Sequence, residues 1–208
     1  SSVGALTLAV TAQGLVSTAS AADTPPPKYG ADTMPGGTVQ DPLVFVSIAA
    51  DGTVTIVAHR AEMGTGVRTS LPMVVADEME ARWDRVKVVQ AEGDETRYGN
   101  QNVDGSRSVR HFFVPMRRVG AAARQMLEAA AAARWSVPVS EVKAVQHEVL
   151  HQASGRRLGY GELAAEAAKQ PVPVTDALKL KPTAESRYIG KGGVRVVDLE
   201  AIGKGQAT

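Results

Sequence analysis

The feature that most constrains this chain is an alanine-rich segment, VPMRRVGAAARQMLEAAAAARW, which spans residues 114–135. Alanine has the highest intrinsic helix propensity, so the segment is predicted to form one long helix. Its apolar residues recur at helical spacing and line one face: Met116, Val119, Ala123, Met126, Leu127 and Ala130. Because the segment is so rich in alanine, a neighbouring element can approach this helix closely. The fold is therefore expected to contain a long helix packed tightly against another element.

The rest of the chain alternates predicted strands with predicted helices. In chain order, these are a β-hairpin over residues 43–60, a helix over about 70–82, a strand within 85–94, a long polar loop over 91–110, short strands within 141–151 with a turn at 154–155, and a short helix over 160–170. This alternation predicts an α+β (α/β-like) fold, in which a small mixed sheet packs against helices.

Composition divides the chain into four parts. Residues 1–22 carry no charged side chain and end in ASAA, which is typical of an export signal; an uncleaved membrane anchor is the alternative. Residues 23–42 are rich in proline and glycine and are predicted to be a linker. Residues 43–170 hold the predicted folded segment, and residues 171–208 are predicted to be an extended connector to a following domain. An exported chain is expected in the bacterial periplasm. If residues 1–22 are instead a membrane anchor, the chain is expected to be attached to the inner membrane.

Charge and residue usage exclude several classes of function. The chain has 23 Lys and Arg against 22 Asp and Glu, a formal net charge of +1, so there is no electrostatic case for nucleic-acid binding. Cysteine is absent, which excludes disulfides, thiolate metal ligands and a cysteine nucleophile. His147 and His151 fall in a predicted strand, where residues four apart lie roughly 13 Å from each other. We therefore expect them to be solvated surface residues and predict no metal ligand in this chain.

A first candidate site is the glycine-rich stretch EMGTGVRTSLP, residues 62–72, which precedes the predicted helix. Gly64 and Gly66 would let a ligand approach the backbone, and Thr69 or Ser70 would cap the helix. The first N–H groups of a helix lack internal partners and attract anions. The stretch matches neither a P-loop nor the dinucleotide fingerprint. Taken alone, the stretch is better explained as a turn that happens to be rich in glycine.

A second candidate site is NVDGSRSVRHFF, residues 102–113, just before the alanine-rich helix. It combines room for a ligand with hydroxyl and guanidinium donors suited to phosphate: Gly105, Ser106, Arg107, Ser108 and Arg110. The alternative interpretation is a helix cap with solvated arginines. Two such stretches, each preceding a helix in one small domain, can converge on one ligand.

Together the two stretches resemble a known family. EMGTGVRTSLPMVVADEME followed by GSRSVRHFFVPMRRVGAAARQMLEAAAAARW is similar to the molybdenum-binding large subunit of the xanthine oxidase family. Within that family, the isoquinoline oxidoreductase branch, with the membrane-bound aldehyde dehydrogenases of acetic acid bacteria, is the most similar. The likeness covers residues 43 to about 200 and implies that residues 43–170 bind a molybdopterin dinucleotide as part of a larger molybdopterin-binding domain.

The resemblance implies cofactor contacts in both stretches. The residues concerned are Gly64, Thr65, Gly66 and Thr69 in the first stretch, and Gly105, Ser106, Arg107 and Ser108 in the second. Thr65 stands where the family usually has glutamine, so a side-chain bond to the cofactor is weakened there while backbone contacts survive. Asp104 stands where a small residue is usual, and its charge is unwelcome near an anionic cofactor.

The chemistry implied by the resemblance is oxidative hydroxylation of an aldehyde or an N-heterocycle with oxygen from water. The cofactor would be molybdopterin cytosine dinucleotide with molybdenum, shared with the rest of the large subunit. Electrons would pass to [2Fe–2S] clusters in a small partner subunit, with a membrane cytochrome c subunit as a further candidate partner. The family's glutamate base is expected in a later part of the subunit, and neither Glu62 nor Glu78 matches its motif. No catalytic residue is therefore assigned here.

Two other hypotheses remain open from the sequence. The chain could be a noncatalytic exported binding or assembly module of the same fold, as the missing base, Thr65 and Asp104 suggest. It could also be a plain secreted α+β domain with two glycine-rich turns.

Overall fold

The computed structural model describes residues 36–191 and two short strands before them. These strands, β1 (Leu8–Thr11) and β2 (Gly14–Ser17), form an antiparallel hairpin. The other residues of the predicted export signal, residues 23–35 of the predicted linker and residues 192–208 of the predicted connector lie outside the described residues. None of the helices in the described part of the chain is both long and apolar enough to cross a bilayer.

From residue 36 onward, short strands alternate with helices. The elements are α1 (Pro42–Phe45), β3 (Val46–Ile48), β4 (Val54–Ala58), α2 (Val67–Glu78), β5 (Val86–Gln90), α3 (Glu95–Tyr98), α4 (Arg107–Trp135), β6 (Val142–Val145), β7 (Glu148–His151), β8 (Arg157–Gly159) and α5 (Tyr160–Ala167). Strand β4 pairs with β3 antiparallel and with β5 parallel, while β6, β7 and β8 form a second, antiparallel sheet. The predicted α+β class is confirmed.

The predicted elements exist, but several of their limits differ. The predicted hairpin forms, yet its first apolar residues belong to helix α1, because the side chain of Asp41 accepts a hydrogen bond from the N–H of Leu43 at 2.9 Å and Pro42 opens the helix. The long polar loop is shorter than predicted, since α3 forms within it and α4 already begins at Arg107.

Helix α4 packs against α2 at very short range. A Cβ atom added at Gly120 of α4 would lie 2.5 Å from the carbonyl oxygen of Val75 in α2 and 2.7 Å from the Cβ of Glu78. The apolar face predicted for the alanine-rich helix is indeed buried, and it joins α2 and β4 in one core. The close approach therefore depends on glycine as well as on alanine.

The last turn of α2 carries two buried carboxylates. Asp77 and Glu78 are each 2% exposed. Asp77 accepts hydrogen bonds from the backbone N–H groups of Arg187, Tyr188 and Ile189 at 3.0 to 3.2 Å, and from Nζ of Lys181 at 3.1 Å. Burial alone would raise the pKa of Asp77, but these donors outweigh it and hold the pKa below its ordinary value of 3.8.

Glu78 connects α2 to α4 and to the chain after residue 171. Its carboxylate lies 2.5 Å from the guanidinium of Arg117 and 3.5 Å from that of Arg124, both on α4, and accepts the backbone N–H of Lys181 at 3.1 Å. The described part of the predicted connector, residues 171–191, has only two short 3₁₀ turns as regular structure. Its irregular backbone is fastened to the end of α2 by these bonds.

His147 and His151 are not solvated surface residues, so that expectation was wrong. They are 8% and 5% exposed. The ring of His147 lies 2.7 Å from the carbonyl oxygen of Gly52 and stacks on Tyr160. The ring of His151 lies 3.0 Å from the carboxylate of Glu141. Both are buried because the β6–β7 hairpin packs against the rest of the core, and the described residues contain no cluster of three potential metal ligands.

We expect Asp77→Asn to lower the free energy of unfolding by about 3–5 kcal/mol at neutral pH, because buried donors lose their charged acceptor. Asp176→Asn, on an exposed residue of the segment 171–191 that Asp77 binds, should change it by less than about 0.5 kcal/mol. Urea denaturation followed by circular dichroism measures both.

Because the pKa of Asp77 is depressed on folding, its contribution to stability is present above its ordinary pKa of 3.8 and is lost as the pH falls through the lower, folded value. A gap between Asp77→Asn and wild type that persists below the folded pKa would contradict this account.

Gly120→Ala should destabilise the chain by about 1–3 kcal/mol, because the added methyl group forces α2 and α4 apart. Gly93→Ala is the matched control, since Gly93 has no atom within 4 Å of an added Cβ and its φ is not positive. The same urea titration compares the two variants, and equal midpoints would show that the two helices do not depend on this contact.

Candidate functional site

The first candidate loop, residues 62–66, follows strand β4 and leads into α2. Gly64 and Gly66 have φ of 88° and 78°, a left-handed backbone that favours glycine. A Cβ added at either glycine would meet no described atom within 4 Å, and Gly64, Thr65 and Gly66 are all exposed. The glycines are thus required by the turn, and the outer side of the loop is open to a ligand or a neighbouring domain.

Helix α2 begins before the predicted capping residues. It starts at Val67 with Gly66 as its N-cap, so the prediction that Thr69 or Ser70 caps it was wrong. Thr69 lies in the first turn, half-buried, and its N–H donates to the carbonyl oxygen of Gly66 at 3.1 Å. Because Gly66 adopts a left-handed backbone, α2 begins at Val67, before the positions of Thr69 and Ser70.

The carboxylate of Glu62 occupies the positive end of α2. It accepts hydrogen bonds from the N–H of Gly66 and from the N–H of Arg68, each at 3.0 Å. Burial raises the pKa of Glu62, but the N–H groups of the loop outweigh this effect and lower it. The side chain is therefore ionised and supplies an internal anion to the helix start. An acidic residue directly before a glycine loop was the available signal for this role, and sequence reasoning missed it.

The second candidate loop ends at the start of the 29-residue helix α4. Gly105 and Ser106 have φ of 51° and 57°, and Ser106 is the N-cap. The side chain of Ser106 makes no capping bond, and the N–H of Arg107 donates to the carbonyl oxygen of Asp104 at 3.0 Å. Among the described bonds, no carboxylate accepts from the N–H groups of this helix start as Glu62 does at α2. Gly105 and Ser106 are exposed, and Asp104, whose charge looked unwelcome near an anion, forms an ion pair of 3.4 Å with Arg107.

Ser108 and Arg60 meet beneath the second loop. Ser108 is buried, and its hydroxyl accepts a hydrogen bond from Nε of Arg60 at 3.2 Å. Arg60 is 1% exposed and donates through Nη1 to the backbone and side-chain oxygens of Asn100, at 2.7 and 2.6 Å, and through Nη2 to the carbonyl oxygen of Asn102. Its guanidinium carbon lies 4.5 Å from the ring centre of Phe112. Burial lowers the pKa of Arg60 from its ordinary value.

Sequence reasoning did not single out Arg60, because an arginine after an apolar strand carries no motif of its own. Its neighbour His59 is 1% exposed and packs edge-on against the rings of Phe45 and Phe112. Burial, with a smaller contribution from the charge of Arg60, lowers the pKa of His59 to about 3. His59 is thus a neutral packing residue at physiological pH and does not serve as a proton carrier.

One short segment, residues 60–62, supports both loops. Arg60 holds the second loop and the start of α4, and Glu62 holds the first loop and the start of α2. A cleft of about 480 Å³ opens beside the first loop, and its lining includes Glu62, Arg68 and Gln101. The two stretches paired in the sequence are therefore linked in space through this segment. The start of α4 remains available to an anion, and the exposed backbone at Gly64–Gly66 is available for close approach.

Comparison with known proteins adds an independent finding. Residues 12–193 match the family described as a molybdopterin cofactor-binding domain. The chain is 41% identical over 141 residues to isoquinoline 1-oxidoreductase subunit beta of Brevundimonas diminuta, which covers 65% of this chain and 18% of that relative. It is 32% identical over 180 residues to the membrane-bound aldehyde dehydrogenase (pyrroloquinoline-quinone) of Gluconacetobacter polyoxogenes, covering 84% of this chain and 23% of that relative.

Among solved structures, quinoline 2-oxidoreductase from Pseudomonas putida 86 matches with a TM-score of 0.49 and 17% identity, over 61% of this chain and 16% of that one. The chain thus spans 18% and 23% of the lengths of the two relatives given above. The sequence matches confirm the resemblance to the molybdenum-binding subunits of the xanthine oxidase family, and the chain belongs to the molybdopterin cofactor-binding domain family.

Proposed function

We propose that this chain forms one wall of the cofactor site in the large subunit of a periplasmic molybdenum hydroxylase. The observation that carries the proposal is the exposed, uncapped start of α4 beside an exposed glycine loop, in a chain that belongs to a molybdopterin cofactor-binding family. When bound, the cofactor supplies the oxidation chemistry, in which oxygen from water is added to the substrate and two electrons are removed.

The residues present fit an anionic dinucleotide cofactor, but they do so unequally. At the second loop, the open N–H groups of α4, the hydroxyl of Ser106 and the guanidinium of Arg107 would hold a phosphate group. At the first loop, the carboxylate of Glu62 already uses the N–H groups of Gly66 and Arg68. A phosphate is therefore disfavoured there, and the exposed backbone at Gly64–Gly66 suits an uncharged part of the cofactor.

The finer assignments rest on the relatives and on the composition. The names of the two relatives support an N-heterocycle or an aldehyde as the substrate. Cysteine is absent from the sequence, so [2Fe–2S] clusters would be carried by a small partner subunit, with a membrane cytochrome c subunit as the next electron carrier. We propose molybdopterin cytosine dinucleotide as the cofactor form. We further propose that residues 1–22 direct export to the periplasm or, as the alternative, anchor the chain to the inner membrane. The catalytic base would be supplied by the remaining part of the large subunit.

The metal and nucleotide content of the native assembly tests this function. The assembly containing this chain is purified from its host, its molybdenum is measured by mass spectrometry, and acid-released nucleotides are separated by chromatography. We expect molybdenum and cytidine nucleotide in equal amounts. The same extract is analysed for pyrroloquinoline quinone, which the name of the Gluconacetobacter relative specifies. Finding neither molybdenum nor cytidine nucleotide would contradict the proposal.

The alternative function is a noncatalytic exported binding or assembly module of the same fold. It is favoured by Thr65, which is exposed and stands where the family usually has glutamine. An assembly that contains the chain stably but holds no cofactor would support this alternative.

Ser106→Glu should lower the molybdenum and nucleotide content of the purified assembly by about tenfold, because a carboxylate at the start of α4 would take the place of the phosphate. Ser140→Glu is the control, since Ser140 is an exposed serine beyond the far end of α4. Equal cofactor content in the two variants would show that the start of α4 does not hold the cofactor.

A further inference from the structure

Arg60 is a buried guanidinium whose hydrogen-bond donors serve the second loop. We infer that Arg60 is a positioning residue for the anionic group of the cofactor: from beneath, it fixes residues 100–108 in the shape that presents the start of α4 to a phosphate. The inference rests on the proposed function and goes beyond it, because Arg60 lies outside both candidate loops and is 1% exposed.

The geometry of the guanidinium ties together the two ends of the loop. Nη1 and Nη2 bind Asn100 and Asn102 at its beginning, while Nε binds the hydroxyl of Ser108 in the first turn of α4. Three nitrogen atoms of one rigid, planar group thus set the distance between the loop entrance and the helix start.

The loop between these attachment points needs such support. Ser106 has a left-handed backbone with φ of 57°, which costs a residue other than glycine roughly 1 kcal/mol or more. Within the loop, the described bonds are local: the N–H of Arg107 donates to the carbonyl oxygen of Asp104 at 3.0 Å, and their side chains form an exposed ion pair. Local bonds of this kind are weak in water. Gly37, His59, Glu92, Asp94 and Glu95 hold residues 100–101 at the loop entrance, and Arg60 is the described side chain that joins this entrance to the first turn of α4.

The charge of Arg60 adds to the positive electrostatic potential at the start of α4. Its described hydrogen-bond partners are hydroxyl, amide and carbonyl oxygens, and the carboxylates of Asp104 and Glu95 act on the cation without a described hydrogen bond to it. The guanidinium stacks on Phe112, which keeps water from its face. A buried cation beneath a helix N-terminus reinforces the positive end of the helix dipole. Arg60 thus contributes both shape and potential to an anion site that it does not touch.

Two substitutions separate these contributions. Arg60→Lys keeps the charge but replaces the planar guanidinium with a single ammonium group, which cannot reach Asn100, Asn102 and Ser108 together. Arg60→Gln removes both. The control is Arg118→Lys, because Arg118 is a half-buried arginine on α4 whose described side-chain partner is Gln40, outside both loops.

Three measurements are made on each variant. Hydrogen–deuterium exchange of residues 100–110 in the native assembly reports the order of the loop. The nucleotide retained by that assembly after dilution reports cofactor positioning. Binding of inorganic pyrophosphate to the same assembly after its cofactor has been removed, measured by calorimetry, reports the anion site without any cofactor.

Arg60→Lys is expected to accelerate exchange in the loop and to reduce nucleotide retention and pyrophosphate affinity by about tenfold each. Arg60→Gln should have a larger effect on pyrophosphate affinity, whereas Arg118→Lys should leave all three readouts near wild type. If both Arg60 variants fail to fold, Ser108→Ala, which removes one acceptor of Arg60, should produce the same changes on a smaller scale.

Unchanged pyrophosphate affinity and nucleotide retention, despite faster exchange in the loop, would overturn the inference while leaving the proposed function intact. If the wild-type assembly holds no molybdenum or nucleotide, the proposed function fails, and the effect of Arg60→Lys on pyrophosphate affinity then decides the inference alone. An equal loss in Arg118→Lys would show that Arg60 contributes only to general stability, and it would also overturn the inference.

Discussion

The buried carboxylates at the end of α2 are the constraint on which the rest of the structure depends. A negative charge at a helix C-terminus is opposed by the helix dipole, and burial removes the water that would otherwise solvate it. Their buried charges are stabilised because α4 supplies Arg117 and Arg124 to Glu78, and the later chain supplies Lys181 and the N–H groups of residues 187–189 to Asp77. The same contacts press α4 onto α2 at Gly120, where a side chain would not fit. This packing fixes the position of each helix, and with it the position of each helix start.

The candidate site lies at the starts of α2 and α4, and the described side chains around these two helix starts differ. The start of α2 is satisfied from within by Glu62, so its positive end is already neutralised. At the start of α4, the carboxylate of Asp104 pairs with the side chain of Arg107 and makes no described bond to the N–H groups of the helix, and the buried cation Arg60 lies beneath. Under the proposed function, the anionic group of the cofactor is therefore expected at the start of α4 and not at the start of α2.

Much of the architecture could be predicted from the sequence, because it follows from local properties. The alanine-rich helix, the hairpin, the α+β class and the pairing of two loops that each precede a helix all depend on residues within a turn or two of each other. The resemblance to molybdenum-binding subunits, now confirmed by the family match, rested on two contiguous stretches in a given order. The helix limits were less accurate, since α2 begins after the left-handed Gly66 and before the predicted caps Thr69 and Ser70, and α4 begins at Arg107 and not at residue 114.

What the sequence by itself determined is therefore the set of elements, the two loops and the family. Only the tertiary structure decided which polar side chains are buried and what they bind. Arg60 and Ser108 are 48 positions apart, and Asp77 and Lys181 are 104 positions apart, so no local pattern reveals either pair. His147 and His151 were expected on the surface for the same reason, since the polarity of a residue does not show what its strand packs against. Helices and turns arise from neighbours along the chain, whereas the partner of a buried charge depends on packing between distant segments.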